Sequence, residues 1–81
     1  MIPADTEAEK TVLACMLLDA ECAAEADRIS DDMFYDDTNK EVFKAIKVLR
    51  QQKKAVDTVT ITPLLKGKVP VSYLLELTGS I

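Results

Sequence analysis

The chain has 81 residues, 48% of them apolar and 30% charged, with a net charge of −4. That composition fits one small folded domain rather than a disordered tail, and its modest size limits how much surface it can bury. No apolar run approaches the roughly 20 residues a transmembrane helix needs, and no basic-then-apolar secretory leader opens the sequence, so a cytoplasmic location is expected.

The charge is unevenly spread. Residues 1–37 carry eleven acids and two bases, a net of −9, whereas residues 38–81 carry eight bases and three acids, a net of +5. The acidic half argues against coating of nucleic acid by the whole surface, although a local basic strip remains possible.

A first helix is predicted to start at Asp5 or Thr6, where either residue can cap it and Thr6 with Glu9 has capping-box spacing. Glu7 and Glu9 then suit the positive end of the helix dipole. Ala8, Val12, Cys15 and Met16 share one face, and Leu13, Leu17 and Leu18 widen the apolar surface, so this helix should be central. Asp19 can cap a second, alanine-rich helix from Ala20 to about Ile29, which should contribute little burial. The two cysteines, Cys15 and Cys22, are expected to be reduced and at least partly buried, because no histidine or Cys-x-x-Cys pair completes a zinc site and cytoplasmic conditions oppose a disulfide.

Met33, Phe34 and Tyr35 form an apolar knot expected to pin into the core. Asp36-Asp37-Thr38 reads as the cap of the clearest helix, Asn39 to about Lys53. Val42, Ala45, Ile46 and Leu49 share one face of it, with Phe43 at the edge. Lys40, Lys44, Lys47 and Arg50 mark the opposite side as a strip that could face a partner or a phosphate backbone, though a solvated helix face is the simpler explanation. No aromatic residue interleaves with the strip to stack on bases, so DNA binding should be weak or absent.

Val56 should anchor a loop before Asp57 or Thr58 caps a helix from Val59 to about Lys66. Val59-Thr-Ile-Thr62 also has the β-branched alternation of a strand, but no second run could pair with it. Gly67 and Pro70 end that helix. A last helix from Val71 to about Leu77 is predicted to turn Leu74, Leu75 and Leu77 inward, with Gly79 as its stop. The expected fold is therefore an all-α orthogonal bundle of about five or six short helices, occupying residues 1–81 as a single domain. Its predicted core includes Val12, Leu13, Met16, Phe34, Tyr35, Val42, Phe43, Ile46, Leu49 and Leu74.

Chemical motifs are sparse. The chain has two glycines and no Gly-x-x-x-x-Gly-Lys-Ser/Thr loop, so P-loop nucleotide hydrolysis is not expected. With no histidine, neither a Ser-His-Asp triad nor a histidine-based zinc site can form. Asp31-Asp32 and Asp36-Asp37 lack the alternation, central glycine and closing glutamate of an EF-hand, and read better as caps. No catalytic, cofactor-binding or metal-binding residue is predicted.

Taken in order, Pro3, Asp5, Glu7-Ala8-Glu9 and Val12-Leu13, then Asp32, Phe34 and Tyr35, then Val42-Phe43 and Leu49, then Val56-Asp57-Thr58-Val59-Thr60, and finally Tyr73-Leu74 and Leu77 resemble the N-terminal domain of DnaB-type replicative DNA helicases. The family often has a glycine where Ala14 stands and a histidine where Asn39 or its neighbour stands. The resemblance spans nearly the whole chain, but it rests on caps and core residues, which speak for the fold more than for a site. It implies a non-catalytic assembly and docking module, with primase, a helicase loader and other helicase subunits as partners. In the family this head is followed by a helical hairpin and an ATPase motor that uses ATP and Mg; both are expected to be absent from this chain, leaving the head alone a monomer or weak dimer. Two alternatives differ in class: a free-standing helical regulator binding a host replication protein, and a small helical DNA-binding protein using the basic strip.

Overall fold

The computed structural model describes residues 6–79. Five α-helices follow one another: α1 (Thr6–Leu18), α2 (Ala20–Ala24), α3 (Asp37–Gln51), α4 (Thr58–Leu65) and α5 (Val71–Thr78). Two 3₁₀ turns, Glu25–Arg28 and Asp31–Met33, link α2 to α3, and no strand occurs among the described residues. The expected all-α bundle is the fold observed.

Local chemistry explains most helix boundaries. The Asp19 side chain accepts the Glu21 N–H and starts α2 immediately after α1. The Asp36 side chain accepts the Asn39 N–H at 2.9 Å and starts α3 two residues earlier than expected. At α4, Asp57 Oδ1 accepts the Thr60 N–H at 2.8 Å and Thr60 Oγ1 accepts the Asp57 N–H at 3.0 Å. This reciprocal box closes two open donors and overrides the strand-like alternation of Val59 to Thr62. Pro63 lies inside α4, five residues beyond the first helical position, where proline fits most easily. Gly79, at φ 73°, ends α5 in the left-handed region that glycine enters without a Cβ penalty.

Two sequence expectations need correction at the level of these elements, and a third falls outside the described residues. The alanine-rich second helix ends at Ala24 and continues as a 3₁₀ turn rather than running to Ile29. Helix α3 ends at Gln51, because Lys53 turns left-handed at φ 58° and its N–H returns to Arg50 O. The predicted cap Asp5, together with Pro3, lies outside the described residues, as do Ser80 and Ile81.

The core lies where α1, α3, α4 and α5 meet. Leu13, Met16, Phe34, Val42, Phe43, Ile46, Leu49, Ile61, Leu65 and Leu74 are all buried. Phe34 stacks on Phe43 with ring centroids 4.7 Å apart. Each such large side chain contributes about 1.5–3 kcal/mol when fully buried. Val12, placed among the core residues by sequence, is half-buried and packs against the cluster.

Tyr35 corrects that core. It is 75% exposed, although its neighbour Phe34 is buried. Phe34 has extended backbone, so adjacent side chains project to opposite sides and only one of the pair can enter. Met33 is exposed too, at the end of the preceding 3₁₀ turn. Leu18 and Leu75 likewise stay at the surface, one at the end of α1 and the other on the outer side of α5.

The cysteine expectation is overturned. Cys15 and Cys22 form a disulfide across the α1–α2 corner, with their Cα atoms 5.9 Å apart. The buried stripe of α1 runs through Glu9, Leu13, Met16 and Leu17, which turns Cys15 outward toward α2. Sequence separation and the assumed compartment said nothing of this corner, which is what brings the two residues together.

Candidate functional site

The basic strip on α3 is largely turned onto the chain itself. Arg50 forms a two-pronged contact with Asp27: Nη2 lies 2.7 Å from Oδ2 and Nε donates to Oδ1 at 3.3 Å. This hydrogen-bonded pairing lowers the Asp27 pKa and raises that of Arg50. Lys47 Nζ donates to the Ile29 carbonyl at 2.7 Å and stands 5.5 Å from the centre of the Phe43 ring. Lys44 Nζ lies 3.9 Å from Asp31 Oδ2. Lys40 is half-buried near the start of the helix. Three of the four predicted strip residues therefore meet the 27–31 segment, which carries the acids that precede α3.

A second polar centre was not foreseen. Glu9 is completely buried, at 0% exposure. Its Oε2 accepts the Tyr35 N–H at 2.6 Å, and its Oε1 accepts the Asp36 N–H at 3.2 Å and the Asn39 Nδ2–H at 3.0 Å. Asn39, also buried, accepts the Tyr73 hydroxyl proton through Oδ1. One chain of hydrogen bonds thus joins α1, the approach to α3, α3 and α5. Three donors aimed at a carboxylate offset much of its desolvation, and the N-terminal end of α3 adds favourable dipole. Among the described residues, no buried side-chain nitrogen or oxygen lacks a partner.

The sequence did contain a signal for Glu9. It lies four residues before Leu13 and seven before Met16, on the same helical stripe. Its role as an acid in a first turn concealed that position. Asn39 carried a weaker signal, since it stands where the resembling family often has histidine.

Tyr73 senses this environment. Burial, followed by the nearby Asp36, Glu76, Glu9 and Glu7 carboxylates, pushes its hydroxyl pKa up to about 12. Lys10 stands above its ring, 5.5 Å from the centroid, and lies 4.0 Å from Glu76. The hydroxyl is therefore held as a proton donor to Asn39, a structural use of the phenol rather than a reactive one.

A further surface feature is apolar. Grooves beside α4 and α5 share Thr62, Pro63 and Val71; one of about 530 Å³ extends along Lys66, Val69 and Pro70, and the other reaches Val59 and Leu75. Val59 is 78% exposed, and Val71 and Leu75 are also exposed. Among the described residues, no group of three or more acidic or cysteine side chains is arranged to hold a metal ion.

Glu9, Tyr35 and Tyr73 of the buried polar chain and Asp57 and Thr60 of the α4 cap are among the residues on which the sequence resemblance rests. The family described as DnaB-like helicase N terminal domain matches residues 1–81. The chain belongs to that family. It is also 34% identical, over 83 aligned positions, to the replicative DNA helicase DnaB of Rhodothermus marinus; the alignment covers 94% of this chain and 9% of that protein. This DnaB-like domain thus corresponds to about a tenth of its curated relative's length. No solved structure matches it. Among the described residues of the DnaB-like chain, no helix is long and apolar enough to cross a membrane.

Proposed function

We propose that this domain is the non-catalytic head of a replicative DNA helicase, supporting assembly of the helicase ring and docking a primase or a helicase loader during replication in the cytoplasm. The observation that carries this reading is the family match over the entire chain. The exposed aliphatic residues beside the α4–α5 grooves support a role in protein contact, because large apolar side chains gathered at a surface are the usual mark of an interaction face. ATP and Mg belong, on this reading, to a motor outside these residues, and the head itself holds no cofactor.

The DNA-binding alternative draws little support from the geometry. Lys44, Lys47 and Arg50 already face acids or a carbonyl of their own chain. Non-specific affinity should then be no tighter than the ~10⁻⁴ to 10⁻⁶ M range at physiological salt. The free-standing regulator differs from the leading reading in having no motor, so a reading frame that continues into a helical hairpin and a Walker A motif decides for the helicase.

Titration calorimetry of this chain against the replicative primase and the helicase loader of its own organism tests the proposal. Saturable binding to either supports it. Binding to neither, combined with a full-length helicase that assembles normally when its head is deleted, would overturn it. Sedimentation should show the isolated chain as a monomer or weak dimer, because its large apolar residues are mostly committed to its own core, whereas obligate homodimers usually bury upwards of ~2,000 Å².

A further inference from the structure

The stretch from Ala20 to Met33 lies along the polar side of α3, and it carries Glu21, Glu25, Asp27, Asp31 and Asp32. Little apolar burial holds it there. Its buried side chains are two alanines, Ala23 and Ala26, with Ile29 half-buried at the edge of the core. The polar ties are the Asp27–Arg50 pair, the Ile29 carbonyl with Lys47, and Asp31 with Lys44. Ion pairs exposed to solvent contribute little to stability. The covalent tie is the Cys15–Cys22 bond at the head of the segment.

We propose that Cys15 and Cys22 form a reversible thiol–disulfide latch that sets how firmly the acidic 20–31 segment covers Lys47 and Arg50. Two properties suit the pair to this role. The Cα separation of 5.9 Å lies within the usual disulfide range, so the bond closes at the positions the folded helices already hold. Cys15 is exposed, so an external thiolate can reach its sulfur, while Cys22 packs against the core and keeps the partner in place.

The chemistry closes with a low-molecular-weight disulfide as oxidant. One cysteine thiolate attacks that disulfide, forms a mixed disulfide and releases one small thiolate. The second cysteine thiolate then attacks the protein sulfur of the mixed disulfide and releases the other. Two protein thiols lose two electrons, the small disulfide gains them, and the two thiol protons pass to the two released thiolates. An excess of small thiol runs the same steps backward.

Closing this short ring removes freedom from the open chain and holds α2 against α1. In the dithiol form the segment keeps its two buried alanines, the half-buried Cys22 and Ile29, and its polar ties to α3. It should then open locally without unfolding the core, because regions with little apolar contact open at low cost. Opening frees Lys47 and Arg50 for an external anionic surface.

The test uses the intact chain equilibrated in mixtures of reduced and oxidised glutathione. Thiol alkylation with mass spectrometry reads the bond, hydrogen exchange reads the segment, and acylation by an amine-reactive ester reads Lys44 and Lys47. The expected result is one intramolecular disulfide that responds to the glutathione ratio. In the dithiol form, amides of residues 20–29 should exchange on the order of tenfold faster or more, with those of the α3 core unchanged. Acylation of Lys47 should rise in parallel. A Cys22→Ser chain should behave as the dithiol form in both buffers. Exchange and labelling that are the same in the two redox states would overturn the proposal, as would preferential formation of disulfide-linked dimers.

Discussion

The α1–α3–α5 core and the α2 segment are both helical and adjacent in sequence, yet they are held by different physics. The core joins large aliphatic and aromatic side chains around a fully paired carboxylate. The segment joins small alanines, surface charges and one covalent bond. Burial scales with side-chain size, so the first region supplies most of the domain's stability and the second can move without dissolving it.

Substitutions can break or sharpen that contrast. The largest effect should come from Phe34→Ala, which removes the ring stacked on Phe43 and should destabilise by about 3–5 kcal/mol; Leu49→Ala should cost about 2–5 kcal/mol. Urea unfolding followed by far-UV circular dichroism reads both, and melting close to wild type would remove these residues from the core. Next comes Glu9→Ala. It leaves two main-chain N–H groups and the Asn39 amide without their acceptor, and should cost about 3 kcal/mol or more. If Glu9→Ala is milder than Arg50→Ala, the polar centre is not the keystone and the contrast fails.

A smaller effect should follow Tyr73→Phe, which loses the hydrogen bond to Asn39 and about 1 kcal/mol. Its pH signature is more diagnostic. The folded-state pKa of Tyr73 is raised from 10.0 to about 12, so its proton is retained in the fold and lost first from the unfolded chain. The resulting contribution is fully present below pH 10 and disappears as pH rises toward 12. Wild type should therefore lose stability through that alkaline window more steeply than Tyr73→Phe, and the variant should lack the late component of tyrosinate absorbance. Coincident profiles would show that Tyr73 is not buried against these carboxylates.

The smallest effect should come from Asp27→Asn. Its side chain sits at the surface, so removing its charge should scarcely move the unfolding midpoint, and any change should vanish at high salt. A large, salt-insensitive loss would mean that the segment is integral to the core.

The sequence was most legible where one signal dominated. In α3, the spacing of Val42, Ala45, Ile46 and Leu49 allowed one buried face, and the structure has it. In α4, Asp57 supplied a cap strong enough to settle a β-branched run as helix. Reading failed where one residue type serves two purposes. A glutamate near a helix start is ordinarily a solvated dipole partner, and Glu9 is instead buried. A lysine seldom adopts positive φ, so nothing in its identity marked Lys53 as a left-handed turn that stops α3 short, at Gln51. The basic strip was visible as a pattern, but its engagement by Asp27, Ile29 and Asp31 depends on a fold-back that periodicity cannot encode.

The buried carboxylate also acts as a ruler. Its donors come from positions 26 to 30 residues away, and Asn39 then passes the connection to Tyr73, 34 residues further along. Apolar contacts tolerate sliding, since one leucine packs much like another. A slip of α1 by one turn would carry the Glu9 oxygens about 5.4 Å from their three donors and leave a charge dry among hydrocarbon. Misaligned packings of these helices are thereby penalised far more than a purely greasy interface would penalise them, so a single side chain fixes the register of α1 against α3.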